Sequence, residues 1–155
     1  MIRRCFSNKS HETIQPLYTT FVRPIIENNS SAWGPWLQKD IIILNKVQRR
    51  AENLCSDNIK FESLESRRIR CDLRETFKIY NDNYRLDSRN FFKKSTDMST
   101  RGHEHKLAKS YSRTDIRKHF FTNRVIDNWN SLSNDIVNAN NISQFKERLE
   151  QGTNW

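Results

Sequence analysis

"RKHFFTNRVIDNWNSL", residues 117–132, crowds aromatic and cationic side chains into one short run. Two readings compete: a helix whose charged face grips a polyanion, or a helix whose aromatic face fills a core. Thr114 or Asp115 can cap such a helix, and Phe121, Val125 and Trp129 recur at i, i+4 and i+8, with Leu132 next. Ile116 and Phe120 widen this stripe, while Arg117, Arg124 and Asp127 fall on another face. An aromatic stripe at helical spacing is core more often than ligand platform. The run therefore reads as a buried helix with a cationic flank.

Working outward, the same periodicity recurs. Ile14, Leu17, Phe21 and Ile25 mark a helix over 13–27, with Pro16 in its first turn and Pro24 placed to kink or stop it. "NNSSAWGPW" (28–36) is a loop whose two tryptophans must pack somewhere. Asp40 precedes a second helix with Ile41, Leu44, Val47, Ala51 and Leu54 in register and "KVQRR" turned outward. A third spans 62–80, with Leu64, Ile69, Leu73, Phe77 and Tyr80 on one face and Arg67, Arg68, Arg70 and Arg74 on the other. "HEHKLAKSY" (103–111) alternates like one short strand. "SNDIV" forms a helical turn, and Asn141 and Gln144 stand at capping-box spacing before Ile142, Phe145 and Leu149. The expected class is mainly α: a small helical domain of about five helices with one short extended or strand segment. The expected segments are a tail (1–12), a helical segment (13–83), a basic irregular connector (84–113), a C-terminal helical segment (114–151) and a tail (152–155).

The chain has 155 residues, of which 35% are hydrophobic, and only three Gly and three Pro. Nine Phe and four Trp supply most of what a modest core needs. The 27 Lys and Arg against 18 Asp and Glu give a net charge of +9. Residues 85–118 hold ten cations and four carboxylates, so this stretch carries +6 of it. Such a balance favours polyanions. The candidate phosphate contacts are Arg49, Arg50, Arg67, Arg68 and Arg70 on outward helix faces, then Lys93, Lys94, Arg101, Lys106, Arg113, Arg117, Lys118 and Arg124.

Sites for chemistry are not legible. A two-metal polymerase or nuclease needs clustered carboxylates, and the chain has no Asp-Asp pair. His103 and His105 flank Glu104 without a third ligand, and read as part of a solvated basic strand. Cys5, Cys55 and Cys71 are odd in number and unpatterned. The N-terminus lacks the apolar segment of a signal peptide, and Ile41–Leu44 is far too short to span a bilayer. The reading is an intracellular, nuclear or cytoplasmic protein with no cofactor and no membrane partner.

Six stretches taken in order carry a resemblance: "LYTTFVRPIIE", "AWGPWLQKDIIILNKVQRRA", "SRRIRCDLRETFKIYN", "STRGHEHKL", "SRTDIRKHFFTNRVIDNWNSL" and "FKERL". Together they resemble the region that follows the fingers and palm in reverse transcriptases of jockey-like non-LTR retrotransposons. The resemblance implies an RNA-directed DNA polymerase as parent, dependent on magnesium, with 13–83 as a thumb-like segment. It reaches Tyr18, Arg23, Pro24, Trp33, Gln48, Arg49, Arg50, Arg101, Gly102, Arg124, Trp129 and Asn130, all as structural positions; the catalytic Asp-Asp motif belongs to the palm and has no counterpart. Two departures stand out. The chain is shorter than the family pattern between "RRAENL" and "ESRR", and Cys71 replaces a glycine. The implied function is that of a truncated remnant, inactive alone and binding RNA or DNA without sequence preference. The alternatives are a co-opted protein-interaction module using Trp33 and Trp36, with self-association through apolar surface, and a relic without function.

Overall fold

The computed structural model describes residues 9–56, 60–95 and 102–152. Helix dominates these residues, with one two-stranded sheet, so the class is mainly α as expected, though built from more and shorter helices. The chain divides into two compact units, Met1–Ser30 with Pro35–Glu65, and Ser31–Gly34 with Ser66–Trp155.

In the first unit, α1 (His11–Leu17) runs into a π-helical turn (Tyr18–Val22) and then α2 (Arg23–Glu27). Because α1 begins at His11, Pro16 lies inside the helix and not in its first turn. Pro24 has no N–H to donate, yet the helical path continues to Glu27. The widened turn just before it absorbs the interruption, as π-bulges do. In sequence a short α3 (Ser30–Trp33), which from Ser31 onward belongs to the second unit, precedes α4 (Gln38–Glu52) of the first. Leu37, not Asp40, occupies the cap position of α4. Asp40 sits in the first turn, where a carboxylate complements the positive end of the helix dipole.

The outward turn expected of "KVQRR" fails at Gln48, which is buried. Its Oε1 accepts from the Tyr18 hydroxyl at 3.3 Å, and its Nε2 faces Glu52 Oε1, the Phe61 carbonyl and the Glu62 carbonyl at 3.0–3.3 Å. Phe61 stacks on Tyr18, ring centroids 4.8 Å apart. A buried amide must be hydrogen-bonded to avoid its desolvation cost, and here three segments of one unit meet on it. Burial raises the Tyr18 hydroxyl above its ordinary pKa, against the lowering effect of Arg23.

The second unit takes α5 (Leu64–Tyr80) from Ser66 onward. It continues with a 3₁₀ turn (Ser88–Asn90), β1 (Lys93–Lys94), β2 (Leu107–Ala108), α6 (Asp115–Lys118), α7 (Phe121–Asn130), α8 (Asn134–Val137) and α9 (Ile142–Gly152). The strands are antiparallel, Lys93 opposite Ala108 and Lys94 opposite Leu107. One core joins Leu73, Phe77 and Ile79 of α5 to Phe92, Leu107, Val125, Ile126, Trp129, Phe145 and Leu149. Phe145 stacks between Phe77 (4.3 Å) and Trp129 (6.2 Å).

The opening stretch is therefore core, but not as one helix. Thr114 caps α6 by accepting from the Arg117 N–H, and α6 ends at Lys118. Phe120, in extended conformation, then starts α7. Two α7 side chains hold the break: Arg124 donates to the His119 carbonyl at 3.2 Å and Asn123 to the Arg117 carbonyl at 3.3 Å. They cover carbonyls at the end of α6, that of Arg117 alongside the Phe120 N–H at 3.4 Å. The break also removes Ile116 and Phe120 from the stripe, leaving them 73% and 47% exposed. At α9 the cap forms with a shift. Asn141 accepts from the Gln144 N–H, while Gln144 reaches back to the N–H of Asn140.

Candidate nucleic-acid interface

The basic connector is laced to α7 by side chains of both segments. His103 Nε2 lies 3.0 Å from the Trp129 carbonyl, and Trp129 Nε1 donates to the His105 carbonyl at 2.9 Å. Asn130 donates to the Leu107 carbonyl and accepts from the Leu107 N–H, both at 2.9 Å, so its amide pairs with β2 as a neighbouring strand would. Lys109 pairs with Asp127, and Asn123 donates to the Ser110 carbonyl and the Ser112 hydroxyl. The connector thus runs antiparallel to α7. Gly102 opens it at φ +125°, a conformation that glycine alone adopts without strain.

The expectation of a solvated basic strand at 103–105 is corrected by this lacing. His103 is buried, and His105 bridges the Tyr80 hydroxyl and Asn138 Oδ1, each at 3.0 Å. Burial holds the His103 imidazole below the ordinary histidine pKa, with His105 and Lys106 acting in the same direction and the Trp129 carbonyl opposing. Among the described residues, no group of three His, Cys, Asp or Glu is placed to hold a metal ion.

Two cation-bearing recesses open on this unit. The first, of about 470 Å³, is lined by Tyr80, Ser88, Arg89, Phe92, Lys93, Lys94 and Leu107. Its floor is aromatic and aliphatic, its edge carries three cations, and none of its lining residues is acidic. Lys94 Nζ stands 5.3 Å from the Tyr80 ring centroid. Arg89 pairs with Asp87 at 3.0 Å, both exposed, and Arg89 lowers the Asp87 pKa through side-chain and backbone hydrogen bonds. The second recess, of about 420 Å³, is lined by Lys109, Ser110, Tyr111, Ser112, Lys118 and Asn123. Both volumes fall in the range of small-molecule sites.

Of the expected phosphate contacts, Lys93 and Lys94 share the first recess and Lys118 lines the second. Arg113 and Arg117 are exposed, Arg117 over the Phe120 ring at 5.4 Å. Arg67, Arg68, Arg70 and Lys106 are half-buried. Arg49 and Arg50 are exposed in the first unit, where Arg49 lines a recess of about 210 Å³ that also contains Glu52 and Glu65. Arg101 lies outside the described residues.

Arg124 departs from the expected cationic flank. Its Nε and Nη2 bind the two Asp72 carboxylate oxygens at 2.8 and 3.0 Å, and Nη2 also reaches the Ser31 carbonyl at 3.0 Å. Its charge is spent inside the unit. Sequence reasoning missed Tyr80, Phe92, Leu107 and Tyr111 as lining residues and Asn123 as a clamp. The adjacent "FFKK" (91–94) was the available signal for the first recess; nothing in the sequence marks Asn123.

No helix among the described residues is long and apolar enough to cross a membrane. No family model, no curated protein and no solved structure matches the chain.

Proposed function

We propose that this chain holds RNA or DNA through its phosphates, without reading sequence, and derives from the region following the palm of a jockey-like non-LTR retrotransposon reverse transcriptase. The observation that carries the binding reading is the first recess, where Arg89, Lys93 and Lys94 edge an apolar floor with no carboxylate among the lining residues. Cations around aromatic and aliphatic surface are what a non-specific nucleic-acid site needs: charge for phosphates and apolar area for bases. The reverse-transcriptase origin rests on the resemblance of the six stretches, whose residues take structural positions here. Tyr18 and Gln48 meet in the first unit, and Gly102, Arg124, Trp129 and Asn130 are the joints of the second.

Binding of unrelated RNA and DNA sequences, followed by anisotropy between about 50 and 200 mM salt, tests the reading. A steep fall in affinity with salt and little difference between sequences is the expected result. A flat salt titration or a strong preference for one sequence contradicts it.

A second reading, a protein-interaction module, is favoured by one observation. Phe21, Ile25, Ile42 and Ile43 of the first unit are all about half exposed or more, and Trp33 and Trp36 are more than a third exposed. Contiguous apolar surface marks contact sites, and on this reading the exposed side chains of the first unit form such a surface. Concentration-dependent self-association in sedimentation runs, abolished by Ile25→Glu or Ile43→Glu, distinguishes it.

A further inference from the structure

We propose that the recess between Lys109 and Lys118 seats one unpaired nucleotide of a single strand, with its base stacked on Tyr111. This rests on the nucleic-acid reading above and names the form of nucleic acid preferred. The Tyr111 ring is 93% exposed, the highest value among the exposed large hydrophobic residues. It is not on a loose loop end. Asn123, itself buried, holds the Ser110 carbonyl on one side of it and the Ser112 hydroxyl on the other. The ring is thus presented outward from an anchored backbone, which lowers the ordering cost of binding.

The surroundings favour an anion over an apolar partner. Lys109 and Lys118 stand in the walls of the recess, and Arg113 and Arg117 are exposed in the same segment. Asp127 already pairs with Lys109, and Asp115 is the one carboxylate within 109–118. An aromatic face beside cations suits an unpaired base, because every base has a π-face and its phosphate needs a nearby charge. A duplex keeps its bases stacked on one another and offers the ring nothing.

The test compares a deoxythymidine oligomer with a duplex of the same length, on wild type, Tyr111→Ala and Tyr111→Phe. Tyr111→Ala is expected to weaken single-strand binding about tenfold, with duplex affinity, salt slope and thermal midpoint unchanged. Tyr111→Phe keeps the ring and is expected to restore the affinity. Salt-sensitive binding that Tyr111→Ala leaves intact, or lowers equally for both forms, overturns the stacking site alone. Wild type that binds neither form overturns the nucleic-acid reading with it. Phosphatidylserine vesicles form a third arm. Loss of vesicle binding in Tyr111→Ala, with oligomer binding untouched, makes the ring a membrane contact and overturns the proposal.

Discussion

Arg124 and Asp72, 52 positions apart, form a two-pronged ion pair: Nε lies 2.8 Å from one carboxylate oxygen and Nη2 3.0 Å from the other. The same guanidinium donates to the carbonyls of Ser31 and His119, so one side chain ties α7 to α5, to the end of α6 and to the 31–34 segment. The Cβ of an alanine at Gly34 would lie 2.8 Å from it, so Gly34 is the residue that lets that segment approach.

Removing Arg124 should therefore damage the fold more than the binding. Arg124→Ala leaves the Asp72 carboxylate buried without its partner, a change that costs about 3–5 kcal/mol. Arg124→Lys should rescue little, because an ammonium cannot reproduce the planar fork. Denaturant melts of both variants and of Asp72→Asn, arranged as a double-mutant cycle, measure the coupling. Additive losses would show the pair to be incidental.

A contrast within the opening stretch checks the division between α6 and α7. Trp129 is fully buried, stacked on Phe145 and bonded to the His105 carbonyl. Trp129→Ala should cost about 3–5 kcal/mol, near the whole stability of a small domain. Ile116→Ser, on the same stripe if the helix were continuous, should stay within about 0.5 kcal/mol because the side chain is in solvent. Comparable losses in the two melts would restore Ile116 to the core.

What the sequence reveals and hides follows from how local the cause is. The Phe121, Val125, Trp129 stripe, the Thr114 cap and the Asn141–Gln144 cap are legible because their partners lie within a helical turn or two. The break at His119–Phe120 is not, because it is held by side-chain bonds from Asn123 and Arg124 that compete with simple continuation of the period. The charge of Arg124 is visible in the sequence; Asp72 as its partner is not. Gln48 looks like a surface residue among cations until Tyr18 and Phe61 arrive from distant segments. The first recess has the same origin. Pairing of β1 with β2 brings Phe92 and Lys94 beside Leu107, and α5 supplies Tyr80, so no local window contains the site.

His103 should make the second unit sensitive to acid. Burial, aided by the charges of His105 and Lys106, holds its folded-state pKa below the unfolded value, with the Trp129 carbonyl opposing. The unfolded chain then binds more protons in this range, so stability rises with pH. The contribution is fully present above the ordinary histidine value of about 6.5 and is lost as pH falls through the lowered folded value. Urea midpoints measured from about pH 5 to 8 should show this slope, reduced in His103→Gln. Because His11, His105 and His119 remain in both proteins, the difference between the two curves isolates His103. Parallel curves would assign the acid sensitivity elsewhere.

Lys93 and Lys94 provide the most direct check on the first recess. Both are exposed on β1, and Lys94 gives up only its cation–π interaction with Tyr80 when truncated, so the double variant Lys93→Ala, Lys94→Ala should melt within about 1 kcal/mol of wild type. Its effect on binding has a different signature. Each phosphate that a lysine no longer neutralises lowers the slope of log affinity against log salt by about 0.7 for a single strand and 0.9 for a duplex. With both lysines truncated the slope should flatten by about 1.4 to 1.8, and affinity should fall most at low salt. The double variant Lys39→Ala, Lys146→Ala removes two exposed cations, on α4 and α9, outside either recess; it is the matched control and should change the slope little. The slope is the decisive readout because general loss of positive charge weakens long-range attraction in both variants, whereas a seated phosphate releases its counterion only where a cation meets it. Equal flattening by the two variants would mean that diffuse charge, and not the recess, holds the strand.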